Sequence, residues 1–150
     1  QERKSKAGQS RRSEKQRSGN REGSQEEYSR KIIIIDDDPE VLDATELILS
    51  EKFTVHTFQK PKEALISLRE TSYDLIITDL AMPELDGMSL AREIRAIGIK
   101  APILLFSRVL VPSDVIQKES GVDGYLDKPL NPSTIFGQIE SYLNPGDMQT

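Results

Sequence analysis

The 150-residue chain has no cysteine and no tryptophan, one histidine, four tyrosines and four phenylalanines. Without cysteine there is no disulfide framework and no thiolate metal site. The single histidine, His56, rules out a His-based ligand set. It falls on a predicted edge strand, is expected at the surface, and leaves no His-based catalysis within the chain. No apolar run approaches the roughly 20 residues that cross a bilayer. The N-terminal stretch also lacks the apolar segment of a secretory signal. A cytoplasmic protein with no membrane partner is the expectation.

Apolar residues make up only 36% of the chain, but they are distributed unevenly. Residues 1–30 hold nine basic and five acidic residues, a net of +4; residues 31–150 hold eleven and twenty, a net of −9. Ala7 and Tyr28 are the only apolar side chains before residue 30. Such a segment cannot bury enough surface to offset its ordering entropy, so 1–29 is expected to be a disordered basic tail or linker. Its interspersed Glu residues and lack of stacking aromatics argue against a nucleic-acid arm, and nucleic-acid binding is not expected within this chain. The folded domain is expected over 30–144, with a C-terminal tail at 145–150.

Within 30–144 strands alternate with helices. Lys31–Ile35 is a short β-branched run, as in a parallel strand covered on both faces. It ends in Asp36-Asp37-Asp38-Pro39, where Asp38 is placed to cap a helix over 39–51 with Pro39 at its first position. Residues 53–58 alternate and predict a half-exposed edge strand. Pro61 opens a second helix that turns Ala64, Leu65 and Leu68 inward. Leu75-Ile76-Ile77 leads to Asp79, then to a loop marked by Met82-Pro83 and Asp86-Gly87, where glycine is expected to supply positive φ. Leu90, Ala91, Ile94 and Ile97 follow at helical spacing. A fourth strand (101–107), a short helix (114–120, capped by Ser113), a fifth strand (124–128) and a last helix capped by Asn131-Pro132 complete the pattern. The fold class is α/β: a (βα)5 doubly wound, flavodoxin-like parallel sheet of five strands in the order 2-1-3-4-5.

In such sheets ligands bind at the carboxyl ends of the strands, where the order reverses. Asp36, Asp37, Asp79, Ser107 and Lys128 all fall at strand ends facing that point. Converging carboxylates repel unless a cation joins them. Hard oxygen donors without histidine or cysteine suit Mg²⁺. A lysine and a hydroxyl at the same rim suit phosphoryl oxygens. The set fits phosphoryl transfer onto Asp79 as an acyl phosphate.

The segments IIIIDDDP, DLIITDLAMPELDG, ILLFS and GYLDKPL, in this order, resemble the receiver domain of bacterial two-component response regulators, the CheY-like family, over about 31–143. The resemblance implies that Asp36 and Asp37 hold Mg²⁺ together with Asp79 and the backbone carbonyl of Ala81. It implies that Asp79 is the phosphoacceptor, Ser107 the switch hydroxyl, Lys128 the phosphate-binding lysine and Tyr125 the aromatic switch, with Pro129 in cis. The implied partner is a sensor histidine kinase or a His-containing phosphotransfer protein. A homodimer through the face of helix 4, strand 5 and helix 5 is a further implication. The implied chemistry is self-catalysed transfer and slow autodephosphorylation, not enzymatic turnover.

Two positions depart from the family pattern. Arg108 follows the switch hydroxyl, where a small residue is usual. Ala81 and Val109 are both aliphatic and cannot orient an attacking water, so the phosphorylated form is expected to be long-lived. The alternatives are a phosphorylation-independent receiver used only for binding, and a Mg²⁺-dependent aspartyl phosphohydrolase. The second would need a carboxylate at position 81.

Overall fold

The structure is a computed structural model, and it describes residues 30–108 and 121–143. Its elements run β1 (Lys31–Ile35), α1 (Pro39–Leu49), β2 (Thr54–Phe58), α2 (Pro61–Glu70), β3 (Leu75–Asp79), α3 (Gly87–Ala96), β4 (Ile103–Ser107), β5 (Gly124–Asp127) and α4 (Ile135–Leu143). All paired strands are parallel, in the order β2-β1-β3-β4-β5, the order that the hydrophobic patterning favoured. The tail 1–29, the helix expected over 114–120, its cap Ser113, Val109 and the C-terminal tail lie outside the described residues.

Alternate side chains of each central strand point to opposite faces. Ile33, Ile35, Ile76, Ile103 and Leu105 pack under α2 and α3 with Leu65, Leu90 and Ile94. Ile32, Ile34, Ile77, Leu104 and Phe106 pack under α1 and α4 with Leu42, Leu49, Ile135 and Ile139. This two-sided burial explains why β1 and β3 are apolar runs, whereas β2, at the edge, is half-buried throughout.

The helix starts follow their caps. The Asp38 carboxylate accepts from the Glu40 backbone N–H at 2.9 Å with Pro39 at the first position. Asn131 Oδ1 accepts from Ser133 N, and its carbonyl accepts from Ile135 N, so the turn 132–134 leads into α4. α1 stops at Leu49, two residues before the expected end, because Lys52 and Phe53 both donate back to the Leu49 carbonyl.

Three expectations need correction. Ile97, expected within the helical repeat, is the C-cap of α3, one residue past its end, and is 37% exposed. Gly98, at φ +93°, stops the helix there: its N–H reaches Arg95 O and that of Ile99 reaches Ile94 O, a Schellman closure. Gly87 does not have positive φ; its requirement is space, described below. His56 is half-buried rather than a surface residue. Its Nδ1 lies 2.7 Å from the Tyr73 hydroxyl, which is 2.7 Å from Ser67 Oγ, and the two rings meet edge-on. The reason is that the chain entering β3 folds Tyr73 back under the edge strand.

At the end of the sheet opposite Asp79, Arg95 ties two loops together. Its guanidinium donates to the carbonyls of Ile99, Ala101 and Gly121 and pairs with Asp123 at 2.9 Å. Asp123 also accepts from Ile103 N, which fixes the start of β4 against β5.

Candidate functional site

β1 and β3 are neighbours, and in their register Ile35 faces Thr78. The next residue of each strand is an aspartate, so Asp36 and Asp79 emerge side by side. The ligand atoms of Asp36, Asp37 and Asp79 lie within 4.8 Å of one another. Asp36 is fully buried, Asp79 is 8% exposed and Asp37 is exposed.

Lys128, just past β5, reaches both buried carboxylates. Its ammonium lies 2.8 Å from Asp79 Oδ1 and 2.6 Å from Asp36 Oδ2. It also lies 5.1 Å from the centroid of the Phe106 ring, so an aromatic face lines its path. The Lys128–Pro129 bond is cis, as the resemblance implied. The Lys128 backbone N–H donates to Ser107 O, which brings the ends of β4 and β5 together. Ser107 is buried at 5% exposure, and Ala81 is exposed beyond the tip of β3. Tyr125 is half-buried, in register with Leu105, and packs against the core under α2 and α3. The structure thus brings Asp36, Asp37, Asp79 and Lys128 into one cluster and sets Ser107 on the adjoining strand end.

The electrostatics follow from this crowding. Burial is the largest influence on Asp79, and with the carboxylates of Asp36 and Asp37 it holds the Asp79 carboxyl above its ordinary pKa despite the Lys128 hydrogen bond. For Lys128 burial opposes the charge and is the largest single influence. The closely paired carboxylates of Asp36 and Asp79 together outweigh it and raise the ammonium above its ordinary value.

One Asp36 oxygen, Oδ1, accepts from the Asp38 backbone N–H at 2.9 Å. The other, Oδ2, touches Lys128 as an ion pair but is aligned with no hydrogen-bond donor among the described residues. Three clustered carboxylates against one ammonium leave two negative charges uncompensated. A buried, incompletely satisfied oxygen in an all-oxygen donor set is the environment that a hard divalent cation fits.

Two residues at the back of the site escaped the sequence reading. A Cβ on Gly87 would lie 2.3 Å from the Asp79 carbonyl oxygen and 3.1 Å from Leu80 Cα. The Gly87 N–H donates to Leu80 O at 2.8 Å, closing the loop 80–87 against the strand end. The Thr78 hydroxyl donates to the same Asp79 carbonyl at 3.1 Å. The Asp-Gly pair was the available signal, but it speaks of turns in general and not of backbone contact. Beside the site a groove of about 200 Å³ runs along α1, lined by Val41, Ala44 and Ile48 and closed by Arg108, Lys128 and Pro129.

Residues 32–140 match the family model described as the response regulator receiver domain. The chain is similar to the transcriptional regulatory protein GlrR of Escherichia coli, with 34% identity over 114 residues, covering 75% of this chain and 26% of that protein. It is similar also to the regulatory protein VanR of Enterococcus faecium, with 30% identity over 116 residues, covering 77% and 50%. The chain therefore spans between about a quarter and half the length of these relatives. Among solved structures, the chemotaxis protein CheY4 of Vibrio cholerae superposes with a TM-score of 0.72 at 26% identity, over 77% of this chain and 99% of that one. A two-component response regulator from Clostridium difficile gives a TM-score of 0.69 at 27% identity, over 77% and 96%.

Proposed function

The chain belongs to the response regulator receiver domain family, and from that premise we propose that Asp79 is its phosphoacceptor, charged by the phosphohistidine of a sensor histidine kinase or a His-containing phosphotransfer protein. The observation that carries this reading is the Asp79 carboxylate at the tip of β3, 2.8 Å from Lys128 and within 4.8 Å of two further aspartates. A carboxylate oxygen of Asp79 forms the new O–P bond. The donor P–N bond breaks, imidazole keeps the electron pair, and an acyl phosphate results. Lys128 stands where charge on the transferred group is neutralised. Mg²⁺, held by Asp36, Asp37, Asp79 and the Ala81 carbonyl, would supply further charge neutralisation on the phosphoryl oxygens.

The receiver unit is assigned to 30–144, with 1–29 and 145–150 as polar tails. Ser107 is assigned as the switch hydroxyl and Tyr125 as the aromatic switch. The acyl phosphate shifts the population toward a state in which the hydroxyl moves to the phosphoryl group and the ring turns inward. The face that includes β5 and α4 then changes. Output runs through that face, to a partner, a second copy or a further domain. In this reading the chain is a signalling module and not a turnover enzyme. The exposed aliphatic Ala81 supports a phosphoryl mark that persists beyond about a minute without a phosphatase.

Incubation with Mg²⁺ and acetyl phosphate followed by intact mass measurement tests the reading, with Asp79→Asn as control. A single phosphoryl adduct, absent from the variant and decaying slowly, is expected. An adduct retained by the variant, or none in the parent, overturns it.

A further inference from the structure

Arg108 directly follows Ser107, and its side chain is exposed. It lines the groove beside the site together with Lys128, and Asp38 and Glu40 line the same groove. Arg108 and Lys128 are the two basic residues among those lining the groove. Lys128 is already committed to Asp36 and Asp79. Arg108 has no hydrogen-bond or ion-pair partner among the described residues.

The charges decide what an incoming group meets. Asp36, Asp37 and Asp79 against Lys128 and one divalent cation balance to zero. Asp38 and Glu40 then leave the rim negative. A phosphoryl donor is an anion, so without a further cation it would be repelled on approach. We infer that Arg108 is a specificity-determining residue that draws anionic phosphoryl donors into the site. This rests on the assignment of Asp79 as acceptor and adds to it the selection of donor by charge. The guanidinium also matches phosphoryl oxygens as a two-pronged donor.

Two small donors separate charge from shape. Acetyl phosphate is a dianion; Asp79 forms its O–P bond as the donor P–O bond breaks and acetate leaves with the electron pair. Phosphoramidate carries a net single negative charge, its nitrogen being protonated; the P–N bond breaks and ammonia leaves. Initial rates of adduct formation are measured with Mg²⁺ for the parent, Arg108→Ala, Arg108→Glu and Arg108→Lys. They are taken at low ionic strength and again at about 0.5 M salt, where the Debye length is a few ångströms.

Arg108→Ala should slow acetyl phosphate about fivefold at low salt, the scale of one positive charge acting on two negative charges across solvent. The loss with phosphoramidate should be smaller. Arg108→Glu should be slower still, Arg108→Lys should keep the salt dependence of the parent, and high salt should bring the variants together. Unchanged or faster labelling of Arg108→Ala by acetyl phosphate at low salt overturns the inference alone. Equal losses with both donors that salt does not diminish overturn it too, since a structural role would give them. No adduct on the parent with either donor overturns the acceptor assignment, and this inference falls with it.

Discussion

Adding one methyl group at Gly87 should both destabilise the fold and disable Asp79. The Cβ would stand 2.3 Å from the Asp79 carbonyl oxygen, whereas ordinary contact begins near 3.4 Å, so about 1 Å must be found. Two of the three nearest atoms are backbone, so a rotamer change cannot supply it. Moving the Asp79 carbonyl strains the Thr78 hydroxyl bond, and moving the loop strains the bond from Gly87 N to Leu80 O. Overpacking costs about 1–3 kcal/mol, and a weakened hydrogen bond adds up to about 1 kcal/mol. Removing glycine from the first turn of α3 returns about 0.5–1 kcal/mol. The net expectation for Gly87→Ala is about 2 kcal/mol of lost stability, read as a drop of about 1 M in the urea midpoint. A displacement of this size at a reacting group can cost about a hundredfold in rate, so labelling by acetyl phosphate should fall at least tenfold. Gly137→Ala is the control: Gly137 lies within α4 with nothing within 4 Å of its Cβ, and alanine there should stabilise by about 0.5–1 kcal/mol. A Gly87→Ala protein as stable as the parent and labelled at the same rate would refute the argument that this glycine is required for space.

Arg95→Met should cost about 2 kcal/mol in urea unfolding, because the carbonyls of Ile99 and Ala101 lose their part-buried donor; a loss below about 0.5 kcal/mol would show that water replaces the guanidinium. Asp79→Asn should raise the melting temperature of the Mg²⁺-free protein by a few degrees, since it relieves the burial of a charged carboxylate first and its crowding by Asp36 and Asp37 second, which together lift the Asp79 pKa; added Mg²⁺ should stabilise the parent more than the variant, and a lower melting temperature would contradict this argument. His56 has a folded pKa below its ordinary 6.5, through burial first and Lys31 second. Its neutral form is therefore favoured by the fold, and stability is complete above about pH 6.5 and falls as the pH drops through that value toward the folded pKa. The pH profile of urea midpoints should flatten between about pH 7 and 5 in His56→Gln, and parallel profiles would remove His56 from the account.

The parts of the molecule legible in the sequence are those set by local pattern. The apolar runs at 32–35 and 75–77 mark strands buried on both faces, and the alternation at 54–58 marks the edge. The polar residues ending β3 and β4, with Asp36 just past β1 and Lys128 just past β5, mark where the site must lie once the strand order is fixed. What was not legible depends on contacts distant along the chain. Tyr73 meets His56 across seventeen residues and an intervening helix. Arg95 collects partners from two loops, and nothing in its own helix separates it from an ordinary solvent-facing arginine. Gly87 looks like any turn glycine until the carbonyl of Asp79 is placed against it.

Strand order also explains why a lysine, and not a shorter cation, completes the cluster. β4 lies between β3 and β5, so the end of β5 stands about 10 Å from β3, two strand spacings away. Asp79 and Phe106 are partners in register, and Phe106 is 1% exposed, so the crossing passes over a buried aromatic ring. An apolar four-carbon stem can lie along that ring while its ammonium reaches across to Asp79 and on to Asp36. One ammonium neutralises only one of the three carboxylates that β1 and β3 bring together. The sheet order therefore produces a site that is two charges short, and a divalent cation matches that deficit where a second lysine would not.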